Sequence, residues 1–180
     1  MQCKRFLLST LAVVSGFIIV FISVASSMGE FLPVEKIDAT QHQFYFSHTI
    51  LPDHIAYPLL MVTDKIQLEM TSSPQKLWLE VEYGWRRLDY ARKLLEKNKH
   101  ALALTAFTKS QKYFLNAAQE VIDINADHQT KRVLIKHLTL YLSDAKLVAA
   151  SFDGADKAVA EHLISEGESL KLRLSQSLSK

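Results

Sequence analysis

Three histidines at a regular interval are the first candidate metal ligands in this sequence. His42, His48 and His54 recur every six residues, and imidazole is a common metal ligand. A helical pair of ligands needs a spacing of four, zinc motifs hold their ligands at short intervals, and no acidic or thiol ligand clusters with these histidines. We therefore predict no metal site and interpret all three as exposed loop residues.

Motifs for catalysis are also missing from the sequence. The five glycines, at positions 16, 29, 84, 154 and 167, are too scattered to form a phosphate-binding loop or a nucleophile elbow. No Glu-x-x-His pair indicates a di-iron bundle, and the adjacent Glu161 and His162 would point about 100° apart on a helix. We predict no catalytic residue, no cofactor and no enzyme activity.

Two pairs of side chains could bind a ligand. Trp78 and Trp85 are seven residues apart, so they lie along one helix face and could stack on sugars or bases, although such a pair is more often part of a core. Arg86 and Arg87 could clamp an anion. An i, i+4 pair between Arg86 and Glu82 on a solvated helix face explains the same residues without a ligand.

The element that predicts where the chain is located is an uncharged run of 22 residues from Phe6 to Ser27. About 20 apolar residues suffice to cross a bilayer as a helix. Lys4 and Arg5 precede the run, which favours a cytoplasmic start and export of the rest of the chain. The predicted organisation is a cytoplasmic N-terminus (1–5), a transmembrane signal anchor (6–27), a juxtamembrane linker (28–49) and an extracytoplasmic domain (50–180).

A cleaved signal peptide is the alternative to an anchor, and it would make the protein secreted. Val24, Ala25, Ser26 and Ser27 include small residues of the kind that signal peptidase uses. Against cleavage, the apolar run exceeds the roughly 7 to 15 residues of an ordinary signal-peptide core. The single cysteine, Cys3, lies before the run and cannot carry the lipid of a bacterial lipoprotein.

Charge and cysteine content limit the partners of the exported part. Of the 21 basic residues, Lys4 and Arg5 precede the run, so the exported part contains 19 basic and 19 acidic residues. Its formal charge is therefore zero. We therefore expect no nucleic-acid partner. With no cysteine after Cys3, disulfides and thiolate metal sites are also excluded, and a hydrophobic core must stabilise the domain.

Apolar periodicity after Ile50 predicts an all-α fold, with the transmembrane helix followed by an extracytoplasmic bundle of four to five antiparallel helices. A first helix runs from Pro58 to Met70, and Leu59, Val62, Ile66 and Met70 lie on one side of it. Core-facing stripes of four further helices come after it: Leu77, Val81, Gly84, Leu88, Ala91 and Leu95; Ala103, Phe107, Ser110, Phe114, Ala117, Val121 and Ile124; Leu134, Leu138, Tyr141, Ala145, Val148 and Phe152; and Ala155, Val159, Leu163, Leu170 and Leu174.

Gly84 stands in the middle of the second predicted helix, where glycine costs about 1 kcal/mol against alanine. We interpret it as a point where another helix approaches closely. Replacement by leucine is then expected to destabilise the bundle, and replacement by alanine to destabilise it much less or even to stabilise it, because alanine recovers helix propensity.

The sequence from Ile50 to about Val121 resembles an uncharacterised bacterial family, catalogued as domain of unknown function 5667. The resemblance implies an exported or membrane-anchored helical protein without an assigned activity. This chain differs from the family pattern at Leu60, where lysine is common, and at Tyr83-Gly84. The residues that carry the resemblance are Leu51-Pro52-Asp53, Tyr57-Pro58-Leu59, Ile66-Gln67-Leu68, Ser73-Pro74, Trp85-Arg86-Arg87-Leu88 and Ala91.

The residues before the first predicted helix admit two interpretations. In one, Tyr57 is extended ahead of Pro58 and plugs the end of the core together with Leu59. In the other, Asp53 and Tyr57 are exposed and contact a partner. With Arg86 and Arg87, these two residues form our set of candidate partner contacts.

These observations favour a membrane-anchored, extracytoplasmic interaction or structural module of the cell envelope. Its expected partners are the membrane, through residues 6–27, and another envelope protein or a second copy. A sensory or regulatory ectodomain that acts through a membrane partner is one alternative. A small-ligand or metal binder is another, and it would have to use the polar residues of the predicted stripes, namely Ser110, Tyr141 and His162.

Overall fold

A computed structural model describes residues 50–73 and 75–178, and over these residues every regular element is a helix. The predicted all-helical fold is therefore confirmed for this part of the chain. The predicted anchor (6–27) and linker (28–49) lie outside it. The helices are α1 (Tyr57–Met70), α2 (Gln75–Glu96), α3 (His100–Asp123), α4 (His128–Ala149) and α5 (Gly154–Gln176).

The turns between helices use residues that tolerate left-handed backbone. Asn98 (φ 58°), Asn125 (φ 45°) and Gly154 (φ 53°) stand at the ends of α2 and α3 and at the start of α5. Asparagine and glycine adopt this conformation at low cost. The side chain of Asp127 accepts hydrogen bonds from the backbone N–H groups of the next turn of α4, so α4 begins six residues before the predicted stripe.

Helices α2 and α3 form the closest pair, and α3 also packs against α5 and α4. The predicted stripes of α2 and α3 are buried except at their last residues, where Leu95 is partly exposed and Ile124 is exposed. Phe152 is also buried, but it lies beyond the end of α4, edge-on to Phe107 with ring centroids 5.8 Å apart. The core of the described domain is thus the interior of α2 to α5.

The predicted stripe of α5 is wrong in its first half. Ala155 and Val159 are exposed, and the buried residues lie one position later, at Ala160 and Ile164 and then at Gly167. A Cβ at Gly167 would lie 2.8 Å from Leu142 Cδ2. The small side chains of Ala160 and Gly167 permit this close packing, and because they carry little apolar surface the predicted stripe omitted them. Ile164 was missed because the first half of the stripe was placed one residue too early.

Gly84 does allow close approach, as predicted, but the contact is tighter than expected. A Cβ at Gly84 would lie 2.5 Å from Cδ2 of Phe114, whose ring is buried and stacked on Tyr141 at 3.8 Å. Ser110 Oγ donates to the Gly84 carbonyl at 2.6 Å and is 2.8 Å from the Tyr141 hydroxyl. Even alanine is therefore too large at position 84.

No helix within residues 50–73 and 75–178 is long and apolar enough to cross a membrane.

Candidate functional site

Helix α1 is inverted relative to the prediction, because the apolar stripe that was expected to face the core is directed to solvent, while Leu60, Met61 and Leu68 are partly buried. Among the described helices it approaches α2 alone. Leu59, Val62 and Met70 are 65%, 54% and 82% exposed, and Ile66 is partly exposed. We call these four residues the outer face of α1. Exposed apolar residues are ordinary when they are scattered, but a contiguous set on one helix indicates an interaction surface.

The inner side of α1 is held by a buried carboxylate. Asp64 is 1% exposed, and it stands two residues from both Val62 and Ile66, which places it about 200° around the helix from each. Nη2 of Arg86 and Nη2 of Arg87, both on α2, each lie 2.5 Å from Oδ2 of Asp64. One carboxylate oxygen therefore joins two guanidinium groups across the α1–α2 contact.

Arg87 is the most enclosed member of this cluster, with no exposed surface. Its Nη1 donates to the hydroxyl of Tyr57 at 2.9 Å, and its Nη2 lies 2.9 Å from the sulfur of Met61. Its Cζ is 5.3 Å from the ring centroids of Tyr57 and Tyr90, within reach of a cation–π interaction. Residues of α1 and α2 thus surround this guanidinium, and Tyr113 of α3 also interacts with it.

Arg86 and Tyr83 complete the contact on the other side of Asp64. The Tyr83 hydroxyl donates to Oε1 of Gln67 at 2.8 Å, and Cζ of Arg86 lies 4.5 Å from the Tyr83 ring centroid. Burial acts to lower the pKa of Arg86, but the Asp64 carboxylate together with Tyr90 and Tyr83 outweighs this effect, so the pKa lies above its usual value. The site therefore holds a fully ionised arginine in spite of desolvation.

We call Asp64, Arg86 and Arg87 the α1 clamp. Burial raises the pKa of Tyr57, Tyr83 and Tyr90 around it, which keeps these phenols neutral as hydrogen-bonding groups. Because one carboxylate joins two guanidinium groups across the α1–α2 contact, the clamp is suited to fixing one helix on another.

The structure brings three of the four candidate contact residues together. Tyr57, Arg86 and Arg87 meet at the clamp, whereas Asp53 lies near the end of α2. There it pairs with Lys97 and Lys99 at 3.2 and 2.7 Å. These two lysine hydrogen bonds lower the pKa of Asp53 to about 2. Contact of the four residues with a partner stays a prediction.

Two local expectations about these residues are wrong. Arg86 and Arg87 are buried and do not lie on a solvated face, because Asp64 draws them under α1. Leu59 is exposed and does not plug the core. Tyr57 is the first residue of α1 and its ring packs edge-on to Tyr90 with centroids 6.3 Å apart, so it belongs to the α1–α2 contact.

The other residues singled out in the sequence lie elsewhere in the bundle. Trp85 is buried edge-on to Phe114, so the two tryptophans form no exposed stacking platform. Ser110 and Tyr141 are buried and bonded to each other. His162 is exposed and lies 3.5 Å from Glu166. Within the described residues, no group of three or more His, Cys, Asp or Glu side chains could hold a metal ion.

Two further buried polar side chains were not anticipated. Glu80 on α2 is 4% exposed, and its Oε2 has no hydrogen-bond partner within the described part of the chain. Desolvation, and then the charge of Glu120, raises the pKa of Glu80 to about 7. Gln111 on α3 is fully buried, and neither atom of its amide is hydrogen-bonded to a described residue.

Sequence reasoning missed Asp64, although a weak signal for it exists. Asp64 is the single acid on the side of α1 opposite the apolar outer face, and the next helix carries an adjacent arginine pair among tyrosines. An isolated acid on one helix and two adjacent arginines on the next have the charges that a buried ion cluster needs. Nothing local to α1 reveals which of its sides meets α2.

Comparison with known proteins adds no relative to this picture: no protein-family model, no curated protein and no solved structure matches the chain. The resemblance of residues 50–121 to the uncharacterised bacterial family stays a prediction.

Proposed function

We propose that this protein is a membrane-anchored interaction module of the cell envelope, and that the outer face of α1 is its docking surface. In this proposal the protein binds another envelope protein or a second copy of itself and performs no catalysis. The observation that carries the proposal is the inverted orientation of α1, with Asp64 buried and Leu59, Val62 and Met70 exposed.

The physical argument rests on the cost of this orientation. Apolar surface gains about 25 cal/mol for each Å² removed from water, so an outer face left in water forgoes that stabilisation. The inner side also costs free energy, because two guanidinium groups and a carboxylate are desolvated there. The observed orientation of α1 therefore leaves apolar surface in water on one side and desolvates charges on the other. Covering the outer face with a partner would recover the first of these costs.

The predicted anchor supports a location at the membrane. Residues 28–49 connect the uncharged run at 6–27 to Ile50, and α1 is the first described helix after that connection. A partner in or on the same membrane would meet α1 at a raised effective concentration. A face of only four aliphatic side chains can then suffice for specific docking.

The proposal is tested by replacing two outer-face residues in the full-length chain. Leu59→Ser with Val62→Ser removes apolar surface that is already exposed, so the melting temperature should stay close to that of the parent. Crosslinking in native membranes should lose the adducts that the parent forms. The matched control is Leu147→Ser with Leu172→Ser, since these leucines are 69% and 60% exposed but stand on α4 and α5.

If the outer-face variant and the control retain the same adducts, the outer face of α1 is not the docking surface. Loss of adducts in both variants would instead point to a general effect of lowered surface hydrophobicity and would equally contradict the assignment to α1.

A further inference from the structure

We propose that the outer face of α1 docks on the same face of a second copy of this chain, with the two α1 helices antiparallel. This inference rests on the proposed function and specifies the partner. Its grounds are the charges beside the outer face, the shape of that face, and the length of chain that precedes it.

The charge pattern beside the outer face is self-complementary. Lys65 and Glu69 lie one helical turn apart on the same border of the face, both exposed, with their charged atoms 3.7 Å apart. A two-fold axis across an antiparallel helix pair keeps the same borders together and reverses the direction of each helix. Lys65 of one copy then approaches Glu69 of the other, twice, as an isologous interface requires.

Three of the four apolar residues fit the same arrangement. With the two-fold axis midway between Lys65 and Glu69, at the level of Gln67, the side chains of Val62, Ile66 and Met70 of the two copies interdigitate. Leu59 lies about 12 Å from the axis, beyond this contact. Leu59, Val62, Ile66 and Met70 occur at intervals of three, four and four residues, which is the spacing of a helix–helix seam. The outer face has no aromatic or arginine side chain of the kind that anchors most protein–protein interfaces. A ridge of apolar side chains on a helix packs well into the grooves of a similar helix surface. The same face of a second copy provides such a surface.

The size of the face sets the conditions under which pairing occurs. Helix α1 has 14 residues and is therefore about 21 Å long. One helix face of that length buries less than the roughly 800 Å² per partner of a standard stable complex. Self-association should accordingly be weak for dissolved chains. Two copies anchored through residues 6–27 carry α1 after linkers of equal length, so membrane confinement favours their encounter.

The first experiment exchanges charges between two differently tagged full-length copies expressed together. Lys65→Glu gives one copy two acidic groups at this border, and Glu69→Lys gives the other two basic groups. Both variants lose the same intrahelical ion pair. Only pairing between copies predicts that the unlike combination is recovered in membrane pull-downs roughly three- to tenfold more than either like combination. Equal recovery of all combinations would overturn the antiparallel pair.

The second experiment places a benzophenone amino acid at Val62, with Leu172 as the matched control position, in cells that express both tagged copies. A crosslinked adduct that carries both tags supports self-pairing. An adduct with another protein and a single tag overturns self-pairing while the proposed function stands. A yield at Val62 no higher than at Leu172, or crosslinking to lipid alone, overturns both proposals.

Discussion

Removal of the Asp64 carboxylate is the most direct perturbation of the α1 clamp. Asp64→Ala leaves two guanidinium groups buried without their anion, one fully enclosed and the other 8% exposed. Breaking a buried ion pair in this way typically costs about 3–5 kcal/mol, mainly because the remaining charge is desolvated. The exposed pair between Arg92 and Asp144, 3.7 Å apart, should contribute less than about 1 kcal/mol.

The stability that Asp64→Ala can lose is limited, because α1 can detach from the rest of the domain. Helix α1 approaches only α2 among the described helices, so its detachment uncovers the side of both arginines that faced Asp64. The variant can therefore lose no more than the free energy that docks α1. We expect local opening of α1, with the four-helix core of α2 to α5 intact, rather than global unfolding.

Hydrogen exchange measured by mass spectrometry detects this opening. At about 1.4 kcal/mol per tenfold change, a loss of about 3 kcal/mol or more corresponds to amide exchange in α1 that is faster by roughly a hundredfold or more. Peptides from α3 should exchange as in the parent, and Asp144→Ala should leave α1 unchanged. If α1 in Asp64→Ala exchanges within about threefold of the parent rate, the clamp does not hold the helix.

A triple variant separates charge from packing. Arg86→Met and Arg87→Met, added to Asp64→Ala, remove the stranded charges while keeping apolar stems of similar length. Replacement of a whole buried ion cluster by apolar groups is often neutral or stabilising. We therefore expect α1 in the triple variant to exchange more slowly than in Asp64→Ala alone. Equal or faster exchange would mean that lost packing, and not stranded charge, explains the single variant.

Three further predictions concern other parts of the chain. Gly84→Ala should lower the free energy of unfolding by about 1–3 kcal/mol in urea titrations, because its Cβ overlaps the buried ring of Phe114; stability equal to the parent would show that the ring moves freely. Burial raises the pKa of Glu80 from 4.5 to about 7, so the free energy of unfolding should fall as pH rises from about 4.5 to 7 and then level off. Glu80→Gln should remove this pH dependence, and an identical pH profile for the variant and the parent would refute the raised pKa. Intact-mass analysis of protein extracted from membranes should find Lys4 and Arg5 retained. A mature start between Ser26 and Glu30 would replace the anchor with a secreted protein.

The helices of the core were predictable because their pattern is unambiguous. In α3 the large apolar residues occupy one side, the opposite side is polar, and burial of the apolar side is the main favourable term in folding. In α2 the same apolar stripe is present, although Leu79, Tyr83 and Tyr90 are also buried on its opposite side. The ends of these helices were also readable, since asparagine and aspartate at the turns have definite backbone roles. Asn98, for example, has φ 58° at the end of α2.

The orientation of α1 was not predictable from its own sequence. Periodicity establishes which residues share a side of a helix, and Leu59, Val62, Ile66 and Met70 do share one. It does not establish which side meets the core when both sides carry apolar residues, as here, where Leu60 and Leu68 lie on the other side. The deciding contact joins Asp64 to arginines more than 20 residues away in the chain.

The clamp explains how a helix with an apolar side can keep that side in solvent. Rotation of α1 by half a turn would bury Leu59 and Val62, each with a gain of about 1.5–3 kcal/mol at most. It would also place aliphatic side chains over Arg86 and Arg87 and remove the carboxylate that both arginines share, at a cost of about 3–5 kcal/mol. These two terms are comparable, but rotation would also expose Leu60 and Leu68, which are partly buried in the observed orientation. The ion cluster and these two leucines together therefore favour the observed orientation of α1, and that orientation creates the proposed docking surface.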